Sequence, residues 1–222
     1  MNAQTIKRRI EAAIRKFAQA TSTQAYGLVP SALTSGKLYE AHVLSLVLAR
    51  LHTDEGFRIT LVNSNYIPLK SSPGPINSRY PHFDLYRGGY KVAELWTDIE
   101  FLALSYSQSG ATRSPRYGDY HELDIVVVES GISGRPAHDK IWLGIECKNT
   151  GYNKSLLKEI LGIRRELSLL QDSRPTKFRS WPRSAVPAEP PSCLLIYSTD
   201  STVLNYSAPG KVFGIDFRHE TI

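Results

Sequence analysis

Apolar positions along the chain follow two periods. Over residues 4–20, Ile6, Ile10, Ala13, Ile14 and Phe17 recur at helical spacing, with Lys7, Arg8, Arg9, Arg15 and Lys16 on the rest of the cylinder. This pattern predicts an amphipathic helix whose basic face is either solvated or in contact with phosphate. Residues 21–36 read as a polar connection holding Pro30 and Gly36. Residues 37–51 are apolar almost all the way round, which predicts a buried helix. Glu40 shares a face with Val43, Leu44, Val47 and Leu51. A carboxylate there needs a partner, unless the N-terminal end of the helix dipole stabilises it at a partly exposed position.

Residues 57–62, FRITLV, predict a first strand, followed over 63–81 by a long loop with four prolines. Loops of that length are often functional. Lys70 and Arg79 are candidate DNA contacts in it, although an insertion without fixed structure explains the composition equally well. Residues 82–96 read as a hairpin turning at Arg87–Gly88–Gly89. Thr97 and Glu100 fit a capping box, predicting a helix to about Tyr106. A further helix is expected over 153–170 with Leu156, Ile160, Ile163, Leu167 and Leu170 as its buried stripe, and strands over 193–197 and 212–217. The order predicts a single α/β domain over residues 1–222, a central mixed β-sheet flanked by helices on both faces. With 222 residues, 41% of them hydrophobic, the chain is long enough for one real core.

The stretch that organises the rest is 121–150, HELDIVVVESGISGRPAHDKIWLGIECKNT. Two β-branched runs, 123–128 and 141–145, flank a segment rich in Gly, Pro and Ser, which is a strand–loop–strand signal. An antiparallel register that sets Val128 opposite Trp142 and Val126 opposite Gly144 also sets Asp124 opposite Glu146. The two Cβ atoms would then lie about 5 Å apart. Lys148 follows Glu146 by two residues and shares its face, while Ile145 and Cys147 point the other way. Two carboxylates that close repel each other, more so among apolar neighbours. A divalent cation resolves the conflict, and a lysine beside it can orient water or offset charge on a phosphate. The alternative is a structural salt bridge at a hairpin end.

Asp124, then Glu146–Cys147–Lys148 closing the next strand, then an amphipathic helix, resembles the PD-(D/E)xK nuclease superfamily. The resemblance covers roughly residues 37–200, with Leu123 where that motif has proline. It implies a restriction endonuclease-like core with insertions at about 63–120 and 171–191. It also implies Mg²⁺, with Mn²⁺ able to substitute, held by Asp124, Glu146, Glu40 and the carbonyl of Cys147. Lys148 would activate water, and Glu40 would contribute a further carboxylate. The expected reaction is hydrolysis of a DNA phosphodiester as an endonuclease, with restriction or anti-phage defence as the expected role. Cutting both strands would call for a homodimer or two separate events, and a homodimer or a partner protein is expected. Lys154, Lys158 and Arg165 on the following helix, and Arg113 and Arg116 before the core, are the candidate DNA contacts, against the plainer reading of solvated charges. Asp84 competes with Asp124 for the aspartate role. Glu94, Asp98 and Glu100 are expected as a solvated or capping set, and Glu122 as a surface residue. The alternative function is a nuclease-like subunit that binds DNA or assembles into a larger complex.

Charge and composition add less. The balance of 27 basic against 21 acidic residues, +6, suits a polyanionic partner without requiring one. Cys147 and Cys193 fall in predicted buried strands and read as reduced thiols of a cytoplasmic protein. No apolar run is long enough to predict a membrane span, and the first residues lack the apolar centre of a signal peptide. The six histidines are scattered without ligand spacing, and the absence of a glycine-rich phosphate loop argues against a nucleotide cofactor.

Overall fold

The computed structural model describes residues 2–29, 34–65, 67–170, 177–182 and 188–222. Pro30, Arg174 and Arg183, with most of the 171–191 segment, lie outside the described residues. Helix α1 (Ala3–Phe17) starts where the Asn2 side chain accepts the Thr5 N–H, and it buries Ile6, Ile10 and Ile14. The expected polar connection contains a helix of its own, α2 (Ser22–Leu28). It is opened by a reciprocal capping box between Thr21 and Gln24, which a reading for apolar period alone passes over. Helix α3 (Ser35–Thr53) is capped by Thr34 and buried along most of its length.

A seven-stranded mixed sheet, mostly antiparallel, forms the middle layer. Its strands are β1 (Arg58–Val62), β2 (His82–Arg87), β3 (Tyr90–Leu102), β4 (Tyr120–Glu129), β5 (Ile141–Lys148), β8 (Cys193–Ser198) and β9 (Ile215–His219), adjacent in that order. β1 to β5 are antiparallel; β5, β8 and β9 run parallel. Two short strands, β6 (Leu169–Leu170) and β7 (Ala188–Glu189), pair separately. The β2–β3 hairpin turns at Gly88 and Gly89 as expected, both in the left-handed region at φ 59° and 87°, which a side chain would strain. One sheet face carries Ile125, Val127, Leu143, Ile145 and Leu195 into a core shared with α1, α2 and α3. The other carries Val126, Val128, Leu194 and Ile196 against α5 (Lys154–Leu167). A short helix, α6 (Ser207–Val212), leads into β9.

Three expectations need correction. The predicted helix from Thr97 is strand: β3 runs through to Leu102, and only the five-residue α4 (Leu104–Gln108) follows. Ile99 and Phe101 are buried in the α5-side core and the segment is paired with β4 to Leu102, so sheet pairing outweighs the capping signal. The last strand begins at Ile215, because residues 207–212 are helical. Helix α5 stops at Leu167, and Leu170 sits half-exposed in β6 instead of closing the buried stripe.

Candidate active site

The β4–β5 register is as predicted at its centre, with Val126 opposite Gly144, but a bulge pairs Val128 with Ile141 and leaves Trp142 as the extra residue. The ladder runs to Ile125 opposite Ile145. One residue further on, the Asp124 side chain takes over: its Oδ2 accepts the Cys147 N–H at 2.7 Å. Beyond it Glu146 and Lys148 point to the α5 side. The Lys148 Nζ lies 3.0 Å from Glu146 Oε2 and 3.0 Å from Glu159 Oε1 on α5.

Strand β3 brings a carboxylate that the sequence reading placed among solvated or capping groups. Trp96, Ile99 and Phe101 all pack in the α5-side core, so the alternation of faces slips by one residue between them. Asp98 makes the slip, with its backbone in the left-handed region at φ 53°. Its side chain consequently turns towards α3. There the Lys37 Nζ is 2.6 Å from Asp98 Oδ1 and 2.6 Å from Glu40 Oε2. Carboxylate oxygens of Glu40, Asp98 and Asp124 all lie within 4.8 Å of one another and could hold a metal ion. Lys70, from the long loop, donates to the backbone carbonyl of Asp98 at 2.8 Å. Lys37, Glu40, Lys70 and Asp98 line a cavity of about 30 Å³, room enough for an ordered water.

Charge is crowded here. Burial pushes the Glu40 carboxyl up to about 7, helped by Asp124 and opposed by Lys37. Burial likewise raises Asp98, Asp124 and Glu146, the last also through its repulsion by Asp124. Burial works against the Lys148 ammonium, but Glu146 and Glu159 outweigh it and hold the group charged. The Cys147 thiol is pushed well up by burial and stays neutral. Among the described residues, Asp98 Oδ2 and Glu146 Oε1 are buried without a hydrogen-bond partner. Unsatisfied acceptors inside a protein are costly and call for an explanation. Hard, anionic oxygens left open suit a hard divalent cation.

Other candidates stand apart. Asp84 belongs to a separate network, accepting from Lys91 at 3.3 Å and Tyr86 at 3.2 Å. Glu94, expected in a solvated or capping set, is buried and accepts from Lys91, Trp96 Nε1 and the Gly131 N–H. Glu100 pairs with Arg135. Arg113, expected as a DNA contact, spends its guanidinium on Asp119 in a two-pronged pair, and the same carboxylate accepts the Arg116 N–H. Lys154, Lys158 and Arg165 are exposed on α5, and Glu122 is exposed on β4. Among the described residues no helix is long and apolar enough to cross a membrane. No family model, curated protein or solved structure matches this chain.

Proposed function

We propose that this chain is a metal-dependent deoxyribonuclease with a restriction endonuclease-like core, built from β3, β4, β5, α5 and β8. The observation that carries the reading is the placement of Asp124. It joins the Glu40–Asp98 carboxylates on its α3 side to the Glu146–Lys148 pair on its α5 side. The open oxygens of Asp98 and Glu146 make that arrangement a poor salt-bridge network and leave acceptors that suit Mg²⁺ and the waters of its shell.

Glu40, Asp98 and Asp124 would hold the ion, and Glu146, close enough to Asp124 to repel it, would accept from a water of its shell. When bound, the ion supplies charge stabilisation at the phosphate and a more acidic water. Lys148 stays protonated and donates to a phosphate oxygen or to the attacking water, orienting it. Glu146 keeps that ammonium aimed, and Glu159 draws it from the other side. The Cys147 N–H fixes the Asp124 carboxylate in one orientation. Exposed Lys154, Lys158 and Arg165 provide cations for a DNA backbone along α5. The oligomeric state, DNA target and any defence role belong to the same proposal.

The test is cleavage of supercoiled plasmid with Mg²⁺, Mn²⁺ or EDTA, comparing wild type with Asp124→Ala and Lys148→Ala. Metal-dependent nicking or linearisation that both substitutions abolish is the expected result. An intact plasmid, together with intact linear, single-stranded and branched DNA, would overturn the claim that the isolated chain is a nuclease.

A further inference from the structure

The ammonium of Lys37 bridges two members of the three-carboxylate cluster. It is 2.6 Å from both Glu40 Oε2 and Asp98 Oδ1, and it has no other ion-pair partner among the described residues. Its charge therefore does the work there that a divalent cation would do: it bridges two carboxylates that repel each other and a third close by. Lys148 differs, since its partners Glu146 and Glu159 lie on the α5 side, outside the trio.

We propose that Lys37 is the resident counter-cation of this cluster and competes with the divalent ion for Glu40 and Asp98, leaving as the ion enters. The inference rests on the metal site proposed above. Two cations cannot share those oxygens at such distances without strong repulsion in a partly buried site. Lys37 is also built to leave. Its backbone is pinned in the first turn of α3, where its N–H donates to the Thr34 hydroxyl. Its side chain retains about a quarter of its surface, so the flexible four-carbon stem can swing the head into water. Glu40 and Asp98 sit deeper, and Asp98 is held by its strand and by the Lys70 contact to its carbonyl.

The experiment is calorimetric titration of the full chain with Mn²⁺, without DNA, comparing wild type with Lys37→Met, which keeps the stem and removes the charge. Lys37→Met should bind Mn²⁺ about tenfold or more tightly. In parallel, reductive methylation of wild-type protein read by mass spectrometry should label Lys37 slowly in EDTA and severalfold faster with Mn²⁺. Equal or weaker affinity in Lys37→Met, with unchanged Lys37 labelling, overturns the competition while leaving the metal site standing. Absence of Mn²⁺ binding to both proteins overturns the site itself, and the competition with it. Should Lys37→Met not fold, labelling of the wild type decides alone.

Discussion

Asp124 Oδ2 and the Cys147 backbone N–H are 2.7 Å apart, so the side chain of one strand replaces the next ladder bond to its neighbour. That contact lies at the end of the β4–β5 ladder, where the acidic groups gather. Under the proposed function Asp124 would have both a structural and a chemical task, and the two can be separated. Asp124→Asn keeps an oxygen for the Cys147 N–H and removes one charge from a cluster in which burial and repulsion raise every carboxyl. The variant should lose cleavage completely yet melt at or above the wild-type temperature without metal. Asp124→Ala orphans the amide as well, at about 1–3 kcal/mol. A thermal melt of the two variants in EDTA checks the order; Asn melting as low as Ala would remove electrostatic strain from the account.

Asp98 tests the cluster from β3. Asparagine tolerates the left-handed backbone nearly as well as aspartate does, so Asp98→Asn preserves the turn of the strand. It should weaken Mn²⁺ binding by at least about tenfold, the scale at which even indirect metal-site partners act. Circular dichroism should stay unchanged. Unaltered Mn²⁺ affinity would remove Asp98 from the ligand set.

Stability in the absence of metal should fall as the solution is made more alkaline. Glu40 has an ordinary value of 4.5 unfolded and about 7 folded. Between those limits the folded chain holds a proton that the unfolded chain has released, so stability is fully present below the lower value and declines up to the higher one. Asp124, Asp98 and Glu146 shift in the same direction. Melting temperatures in EDTA should decline from pH 5 to 8, and Glu40→Gln should flatten the slope. A steeper slope in that variant would contradict the assignment.

Glu55 behaves in the opposite sense. Its buried carboxylate accepts the N–H groups of Arg179, Ser180 and Trp181 and pairs with Arg87, tying residues 177–182 to the end of α3. Burial alone would push its pKa up, but these donors outweigh it and hold the carboxyl below its ordinary range. Its stabilisation is thus present above the unfolded value of 4.5 and lost as pH falls further. Glu55→Ala leaves three amides and a guanidinium without their acceptor, a loss of about 3–5 kcal/mol measurable by urea denaturation. Activity of the surviving folded fraction should persist.

Much of this was legible in the chain. The central register, the Glu146–Lys148 side, the buried helix bearing Glu40 and the Gly88–Gly89 turn follow from local periods, and local periods are what a linear string preserves. Asp98 was not legible as a site residue because Thr97 and Glu100 imitate a helix start, while sheet pairing decided the segment. A trace was present all the same. Trp96, Ile99 and Phe101 cannot lie on one face of a regular strand, and the broken parity marks the residue that absorbs the slip. Lys37 carried no trace, since its partners include a residue 61 positions away.

The helices reach the acidic centre from opposite layers: Lys37 and Glu40 from α3, and Glu159 from α5 by way of Lys148. The spacing of the charges is therefore set by the thickness of the three-layer sandwich and not by any one loop. A methyl group added to or removed from either core would move one jaw of a caliper that, under the proposed function, closes on the ion. Packing mutants far from the carboxylates are accordingly expected to register as changes in metal preference.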